Sequence, residues 1–215
     1  MHLPFLESPS EGRFDEIAQR LMNGFCALKR CSGSGAERLY RFAEIEFYLY
    51  DAGQPQRDVI AYPRACPRVE WFFHYSGVDI AFATEQAGGE LLRFGGILVR
   101  GVEAYERDAE GRWTLRAAIG GPRRSMYELF NHAEGMPDVV ELPEGLRLRR
   151  PIVKTSRVGV KNDLPFRYVM EDVSWTEWAE RAKGQLDPGG RLGVRLARVK
   201  VSYSPKPARS YGRLP

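Results

Sequence analysis

The feature that most constrains the fold is a stretch from Leu39 to Asp51 that has the pattern of a long β-strand. Its odd positions, Arg41 among them, are mostly apolar, and its even positions carry carboxylates and aromatic rings. Successive side chains of a strand point to opposite faces, so the odd positions are predicted to face a core. Glu44, Glu46 and Tyr48 are then predicted to share the other face.

Strands predominate elsewhere in the chain as well. An amphipathic helix is predicted from Phe14, followed by a strand at residues 25–28, and a second helix from Pro122. Residues 69–84 are predicted to form a hairpin that turns at Ser76-Gly77, and residues 152–170 are mostly extended. There are too few helices for alternating βαβ units. We therefore expect an α+β fold in a single domain: a curved, mostly antiparallel β-sheet with a protruding β-hairpin and flanking helices.

Length and composition favour one folded unit. The chain has 215 residues, of which 43% are apolar, and one core is efficient at this size. We expect the domain to span residues 1–201, with a capping-box helix at Ser174-x-x-Glu177 and a mobile, basic, proline-containing tail at 202–215. No apolar run is long enough for a membrane helix and no signal peptide is recognisable, so we expect a soluble, unprocessed cytoplasmic protein without a membrane partner.

Cysteine and histidine patterns argue against a disulfide scaffold and a metal site. The three cysteines, Cys26, Cys31 and Cys66, form an odd set without C-x-x-C spacing, which is typical of a reducing compartment. The three histidines share no ligand spacing with them. A Cys–His nucleophilic pair stays open. We expect no metal and no organic cofactor.

Charge is distributed unevenly along the chain. Residues 1–144 hold 16 Lys and Arg against 22 Asp and Glu, a net charge of −6. Residues 145–215 hold 16 against 6, a net charge of +10. A basic C-terminal third on an acidic body indicates a polyanion such as nucleic acid, although a solvated surface without a partner gives the same pattern.

Five segments in order carry a resemblance to a known family. Residues 43–48 read A-E-I-E-F-Y, and 71–82 form an aromatic hairpin that contains Gly77. Residues 96–102 read G-I-L-V-R-G-V, 121–124 read G-P-R-R, and R-V-G-V at 157–160 precedes L-P-F-R-Y at 164–168. This ordered set resembles the motifs of the alkyladenine (3-methyladenine) DNA glycosylases of the alkylpurine type.

The resemblance implies hydrolysis of the N-glycosidic bond of a damaged or modified base flipped out of duplex DNA. By motif position Glu46 would be the general base, with Glu44 as a neighbouring charge and Arg100 as the active-site arginine. Tyr48 and Phe73 would stack the base. Because Ser76 stands at the family's wedge position, Tyr75, His74 or another loop would have to act as the wedge. No obligate protein partner is expected.

DNA contacts are predicted for a further set of residues. The hairpin turn would probe the minor groove, the start of the second helix would bind phosphate, and later basic residues would extend that footprint. The residues of this set are Ser76, Gly77, Gly121, Arg123, Arg124, Arg157, Lys161 and Arg167.

Three family positions differ in this chain. No histidine lies between Ala52 and Phe73, Ser76 replaces an intercalating tyrosine, and Ala83 replaces a pocket asparagine. Two other functions therefore stay open: a non-catalytic nucleic-acid-binding paralogue of the same fold, and a hydrolase of free nucleosides. Without the resemblance, solvated carboxylates and ordinary core aromatics would explain the same residues.

Overall fold

The computed structural model describes residues 1–7, 9–54, 58, 60–160, 164–175 and the backbone of 210–213. Within these residues the two α-helices are α1 (Phe14–Gly24) and α2 (Pro122–Phe130), and short 3₁₀ turns occur at Pro4–Leu6, Glu11–Arg13 and Glu144–Leu146. The strands are β1 (Phe25–Arg30), β2 (Glu37–Asp51), β3 (Glu70–His74), β4 (Gly77–Ala81), β5 (Glu85–Ala87), β6 (Glu90–Arg107), β7 (Trp113–Gly120), β8 (Asp138–Glu141), β9 (Ile152–Thr155), β10 (Arg167–Met170) and β11 (Ser210–Arg213).

One curled sheet holds all of these strands, and every pairing within the described residues is antiparallel. The long strands β2 and β6 form its centre and exchange neighbours along their length. At one end they pair with β1 and β7, and at the other end with β10 and β4. The main path of the sheet runs β11-β9-β10-β2-β6-β4-β3. The predicted α+β fold with a curved antiparallel sheet is confirmed.

The exchange of neighbours occurs at two offset β-bulges. Phe42 pairs with Val102, Glu44 with Gly101 and Ile45 with Val99, so that Ala43 and Arg100 are each the extra residue of their strand. A bulge moves the following side chains to the other face. Tyr40 and Phe42 therefore face the main core before the bulge, although they occupy even positions, and the predicted odd positions face it afterwards.

The prediction that the odd positions of β2 face the core is wrong for Arg41. This residue is buried on the opposite side from Phe42 and donates hydrogen bonds to the Met22 carbonyl (3.1 Å), the Leu148 carbonyl (2.9 Å) and Asn23 Oδ1 (2.8 Å). A buried guanidinium requires such acceptors. Arg41 thus ties β2 to the end of α1 and to the loop that follows β8.

The predicted hairpin forms, with a turn one residue earlier than expected. His74 pairs with Gly77, so Tyr75 and Ser76 are the two turn residues. Gly77 is required by a close contact: a Cβ at this position would lie 2.9 Å from Pro122 Cβ. All of β4 is buried and its residues 79–81 pair with β6, so the hairpin belongs to the sheet, and only at its turn is Tyr75 82% exposed.

The helices cover the sheet as their apolar positions predict. Phe14 of α1 stacks on Phe47 of β2, with ring centroids 4.3 Å apart. At the end of α2, the buried Lys29 ammonium donates to the carbonyls of Glu128 (2.5 Å) and Asn131 (3.2 Å). These carbonyls have no partner within the helix, and a cation there also interacts favourably with the helix dipole.

The C-terminal predictions are only partly covered by the structure. The capping-box helix at Ser174-x-x-Glu177 extends beyond the described residues, and so does most of 176–215. Within the predicted tail, residues 210–213 form β11, which pairs with β9. Neither helix in the described part of the chain has the length and apolar character needed to cross a lipid bilayer.

Candidate functional site

A buried cluster of charged side chains lies at the bulges of β2 and β6. Arg100 Nε is 3.0 Å from Glu44 Oε1, and Arg100 Nη1 is 3.2 Å from Glu46 Oε2. From β10, Arg167 Nε lies 2.8 Å from Glu44 Oε1. All four side chains are almost fully buried, so the two carboxylates and two guanidinium groups balance one another's charge where water is excluded.

Glu46 accepts three hydrogen bonds in this cluster. The Val158 amide donates to Oε1 (2.9 Å), and the Tyr48 hydroxyl (2.8 Å) and Arg100 Nη1 donate to Oε2. Burial raises the pKa of Glu46 above its ordinary value of 4.5, and the charge of Arg100 and the two other hydrogen bonds oppose that rise. The result is a carboxylate held in place by donors and made more basic by its surroundings.

Tyr48 lies two positions after Glu46 on the same face of β2, as alternation predicts. Burial and then the Glu46 charge raise the pKa of its phenol, so Tyr48 remains the hydrogen-bond donor. The Arg157 guanidinium lies 4.8 Å from the centre of the Tyr48 ring and is ion-paired to Asp58, with Nη1 2.5 Å from Oδ2. Arg157, itself held by Asp58, therefore packs against the Tyr48 ring and restricts its position.

A cavity of about 480 Å³ opens beside this cluster. Its volume lies within the range of small-molecule sites. Glu46 is not in its lining, but all three of its hydrogen-bond donors are. The lining residues are Tyr48, Ile60, Tyr62, Arg64, His74, Ser76, Asp79, Leu98, Arg100, Pro122, Val158, Gly159 and Val160.

A second buried charge group forms part of the lining, on the hairpin side. Asp79 Oδ2 is 2.8 Å from Arg64 Nη1, and Asp79 Oδ1 is 2.9 Å from His74 Nε2. The Ser76 amide donates to His74 Nδ1 (3.3 Å), so Nε2 carries the proton that Asp79 accepts. The imidazole is thus held at both nitrogens, and the Tyr62 ring packs against it at a centroid distance of 4.7 Å.

The structure brings Glu44, Glu46, Tyr48, Arg100 and His74 of the predicted site together, but it does not bring Phe73 and Tyr75 to the cavity. Phe73 packs on Phe130 of α2 with ring centroids 4.7 Å apart, and Tyr75 points into solvent beneath the Arg123 guanidinium. The reason is strand alternation: His74 faces the cavity, so its neighbours Phe73 and Tyr75 point to the other side, towards α2.

The predicted DNA contacts fall into two groups. Ser76 lines the cavity, and Gly77 and Gly121 lie next to it, where Gly77 packs on Pro122 and the Gly121 amide donates to the Arg100 carbonyl (2.6 Å). Arg123 is exposed and donates to the Tyr75 carbonyl (3.0 Å), and Arg124 is half-buried on the same helix.

Arg157 and Arg167 differ from the prediction that they extend an exposed phosphate-binding footprint. Each is only 4% exposed, and their charges are used inside the protein by Asp58 and Glu44. A run of basic residues in the sequence does not distinguish a surface cation from a buried counter-ion. Lys161 lies outside the described residues.

Sequence reasoning missed Asp58, Tyr62, Arg64 and Asp79. Asp58 lies twelve positions after Glu46, within the stretch from Ala52 to Phe73 that contains no histidine. Arg64 and Asp79 had no signal of their own, because their pairing depends on how the loop after β2 meets the hairpin.

Metal and thiol chemistry have little basis in the described residues. Within them, no group of three or more His, Cys, Asp or Glu side chains is arranged to hold a metal ion. The three cysteines are free and buried, and burial raises the pKa of Cys26 to about 12 and that of Cys66 to about 11. These two thiols therefore stay protonated at neutral pH and are poor nucleophiles.

Comparison with protein-family models and with curated proteins finds no match to this chain.

Proposed function

We propose that the protein is a monofunctional DNA glycosylase-like hydrolase, a divergent relative of the alkyladenine DNA glycosylases. The observation that carries this proposal is a buried, basic carboxylate, Glu46, whose three hydrogen-bond donors line an open cavity of base-binding size. Strongly perturbed acids next to cavities are typical of catalytic sites. The reaction, hydrolysis of an N-glycosidic bond, is proposed from the resemblance of the ordered sequence motifs to those of the glycosylases.

In the proposed reaction, Glu46 takes a proton from a water molecule that enters from the cavity between Tyr48, Arg100 and Val158. A carboxylate offers about four acceptor sites, and three are occupied by Val158, Tyr48 and Arg100. The fourth site, on Oε1, would accept the water, and Arg167 Nε lies 4.0 Å from Oε1. The water oxygen attacks the anomeric carbon of the sugar, the N-glycosidic bond breaks, and its electron pair leaves with the base, which takes up a proton from solvent.

Arg100 and Tyr48 have supporting roles in this reaction. Arg100 lies between Glu44 and Glu46, and its charge opposes the rise in the pKa of Glu46 that burial causes. The ring of Tyr48 lines the cavity and provides a flat face for the flipped base, with Arg157 behind it. His74, held by Asp79, supplies an aromatic ring on the hairpin side and takes the base-binding place first assigned to Phe73.

The non-catalytic alternative is favoured by one observation. Glu46 is fully buried and already accepts three hydrogen bonds, an arrangement that also suits a purely structural carboxylate. In that case the cavity would bind a base without cleaving its bond.

A reducing, cytoplasmic location is part of the proposal, and in a bacterium the protein would be associated with the nucleoid. Its three free cysteines support this. Duplex DNA is the proposed partner.

The experiment that tests the proposal is a base-release screen. Duplexes that carry alkylated, deaminated or otherwise modified bases are incubated with the protein, and released bases are quantified beside the corresponding free nucleosides. Release from at least one duplex, faster than from its free nucleoside, is expected. Binding without release would support the non-catalytic alternative, and equal rates on duplex and nucleoside would support a nucleoside hydrolase.

A further inference from the structure

An exposed aromatic surface lies on the side of the hairpin that faces α2. Phe73 is 44% exposed, Tyr75 82% and Tyr127 63%. Large aromatic side chains are seldom left so exposed without a binding role when they are grouped. We call Phe73, Tyr75, Arg123 and Tyr127 the aromatic surface.

Two elements build the aromatic surface. Phe73 of β3 packs against Phe130 of α2, while Arg123, Tyr127 and Phe130 recur at positions i, i+4 and i+7 along one side of α2. The Arg123 guanidinium lies 4.0 Å from the centre of the Tyr75 ring and also donates to the Tyr75 carbonyl. The turn of the hairpin is therefore joined to the start of the helix.

The charge of the aromatic surface suits a polyanion. Its four side chains carry one positive charge and no negative charge, and the first turn of α2 contains no acidic residue. Aromatic rings interleaved with arginine are the usual means of holding unpaired bases, because every base has a π-face to stack and a phosphate beside it.

The aromatic surface also begins at the mouth of the cavity. Ser76 and Pro122 line the cavity, and their chain neighbours Tyr75 and Arg123 belong to the aromatic surface. A strand that places one nucleotide in the cavity can therefore pass its next nucleotides over Tyr75 and towards Tyr127.

The geometry points to single-stranded DNA as the occupant of the aromatic surface. Bases next to the flipped nucleotide stack on Tyr75 and Tyr127, and Arg123 neutralises a phosphate. This inference rests on the proposed function for the position of the nucleic acid, but the binding it describes does not need Glu46. The protein would accordingly act best where a few bases are already unpaired.

Fluorescence anisotropy with the full chain tests this surface. The probes are labelled dT12 and an abasic 12-mer of the same charge, which lacks bases to stack. We expect the wild type to bind dT12 about 10-fold more tightly than the abasic oligomer, and Tyr75→Ala and Tyr127→Ala each to weaken dT12 binding by ~10-fold. Binding of the abasic oligomer is expected to stay unchanged. Leu148→Ala, at a 74% exposed apolar side chain outside the surface, is the control.

Three results would overturn the inference. Equal affinity for the two oligomers would show that only phosphates are bound, and unchanged dT12 affinity in both tyrosine variants would place the bases elsewhere. A wild-type dimer that Tyr75→Ala dissociates, measured by sedimentation, would identify a protein interface instead. Because anisotropy is measured without base release, a failure of the catalytic proposal leaves these results readable.

Discussion

At the scale of single residues, Glu46 is best understood beside a second carboxylate of the same kind. Glu103 on β6 is also buried, accepts a hydrogen bond from the tyrosine two positions later, Tyr105 (3.0 Å), and is ion-paired to Arg150. None of these three residues lines the cavity that Tyr48 and Arg100 line. Glu103 is therefore a natural control that separates catalysis from the stability of a buried carboxylate.

The raised pKa of Glu46 predicts the acid side of the pH–rate profile. A general base must be ionised, so base release is expected to fall as the pH drops through a pKa above 4.5. Single-turnover rates at a series of pH values measure this limb. A rate that stays constant down to pH 4.5 would contradict the assignment of Glu46.

A loss of activity at low pH could also come from unfolding, and the pH dependence of stability distinguishes the two. Because the folded state binds the Glu46 proton more tightly than the unfolded chain, the contribution of this group to the free energy of unfolding is full below 4.5 and is lost as the pH rises through the raised pKa. Urea denaturation at each pH shows whether the protein is still folded where its activity declines.

The sequence predicted the part of the site on β2 correctly, but it did not predict the hairpin side chains or the burial of two arginines. Glu44, Glu46 and Tyr48 lie at alternate positions of one strand, so their common face followed from β geometry alone. His74 and Phe73 exchanged roles because alternation places them on opposite faces of the hairpin but does not fix which of the two faces meets the cavity. Burial of Arg157 and Arg167 depends on their partners, Asp58 and Glu44, which lie far away in the sequence.

At the scale of elements, the β2–β6 pair positions the site through its bulges. The extra residue Arg100 enters the ladder where Glu44 pairs with Gly101, so its side chain can reach both carboxylates of β2. Bulges are often found next to functional sites because they redirect a side chain. Neither bulge was predictable, since Ala43 and Arg100 carry no sequence mark of a bulge.

Close packing of β2 and β6 requires glycine at position 95. A Cβ added to Gly95 would collide with the Tyr48 carbonyl and lie 2.9 Å from Leu49 Cα. We expect Gly95→Ala to lower the free energy of unfolding by about 1–3 kcal/mol or more, as overpacking does. Urea denaturation measures the change.

Gly145→Ala is the matched control for this substitution, because a Cβ there meets nothing within 4 Å. We expect its midpoint of unfolding to stay close to that of the wild type. Equal midpoints for Gly95→Ala and the wild type would mean that the two strands are less tightly packed than the structure indicates.

At the scale of the whole molecule, the basic C-terminal third is partly neutralised by the acidic body. Arg150 pairs with Glu103, Lys154 with Asp15 at 2.6 Å, and Arg167 with Glu44. These contacts hold residues 150–167 against β2, β6 and α1. Basic residues that the sequence suggests as phosphate contacts therefore stabilise the fold through ion pairs instead.

Two arginine variants distinguish an arginine that stabilises the fold from one that binds DNA phosphate. Arg167→Gln leaves the buried Glu44 with one partner fewer and is expected to cost about 3–5 kcal/mol of stability. Arg123→Gln is exposed and should leave stability within about 0.5 kcal/mol, while the salt dependence of DNA affinity weakens by about one charge.

Urea denaturation and a salt titration of DNA affinity measure the two effects. A reduced salt slope in Arg167→Gln, with stability unchanged, would show that this arginine contacts phosphate after all. A folded Arg123→Gln variant with the wild-type slope would exclude Arg123 from the DNA interface.

Glu46 is proposed to activate water, and single-turnover base release tests this role most directly. For the substrate found in the screen, we expect Glu46→Gln to slow release by about 10²–10⁴-fold with DNA affinity nearly unchanged. Glu103→Gln, which removes the matched buried carboxylate, should release base at close to the wild-type rate. A folded Glu46→Gln variant that releases base as fast as Glu103→Gln would contradict the claim.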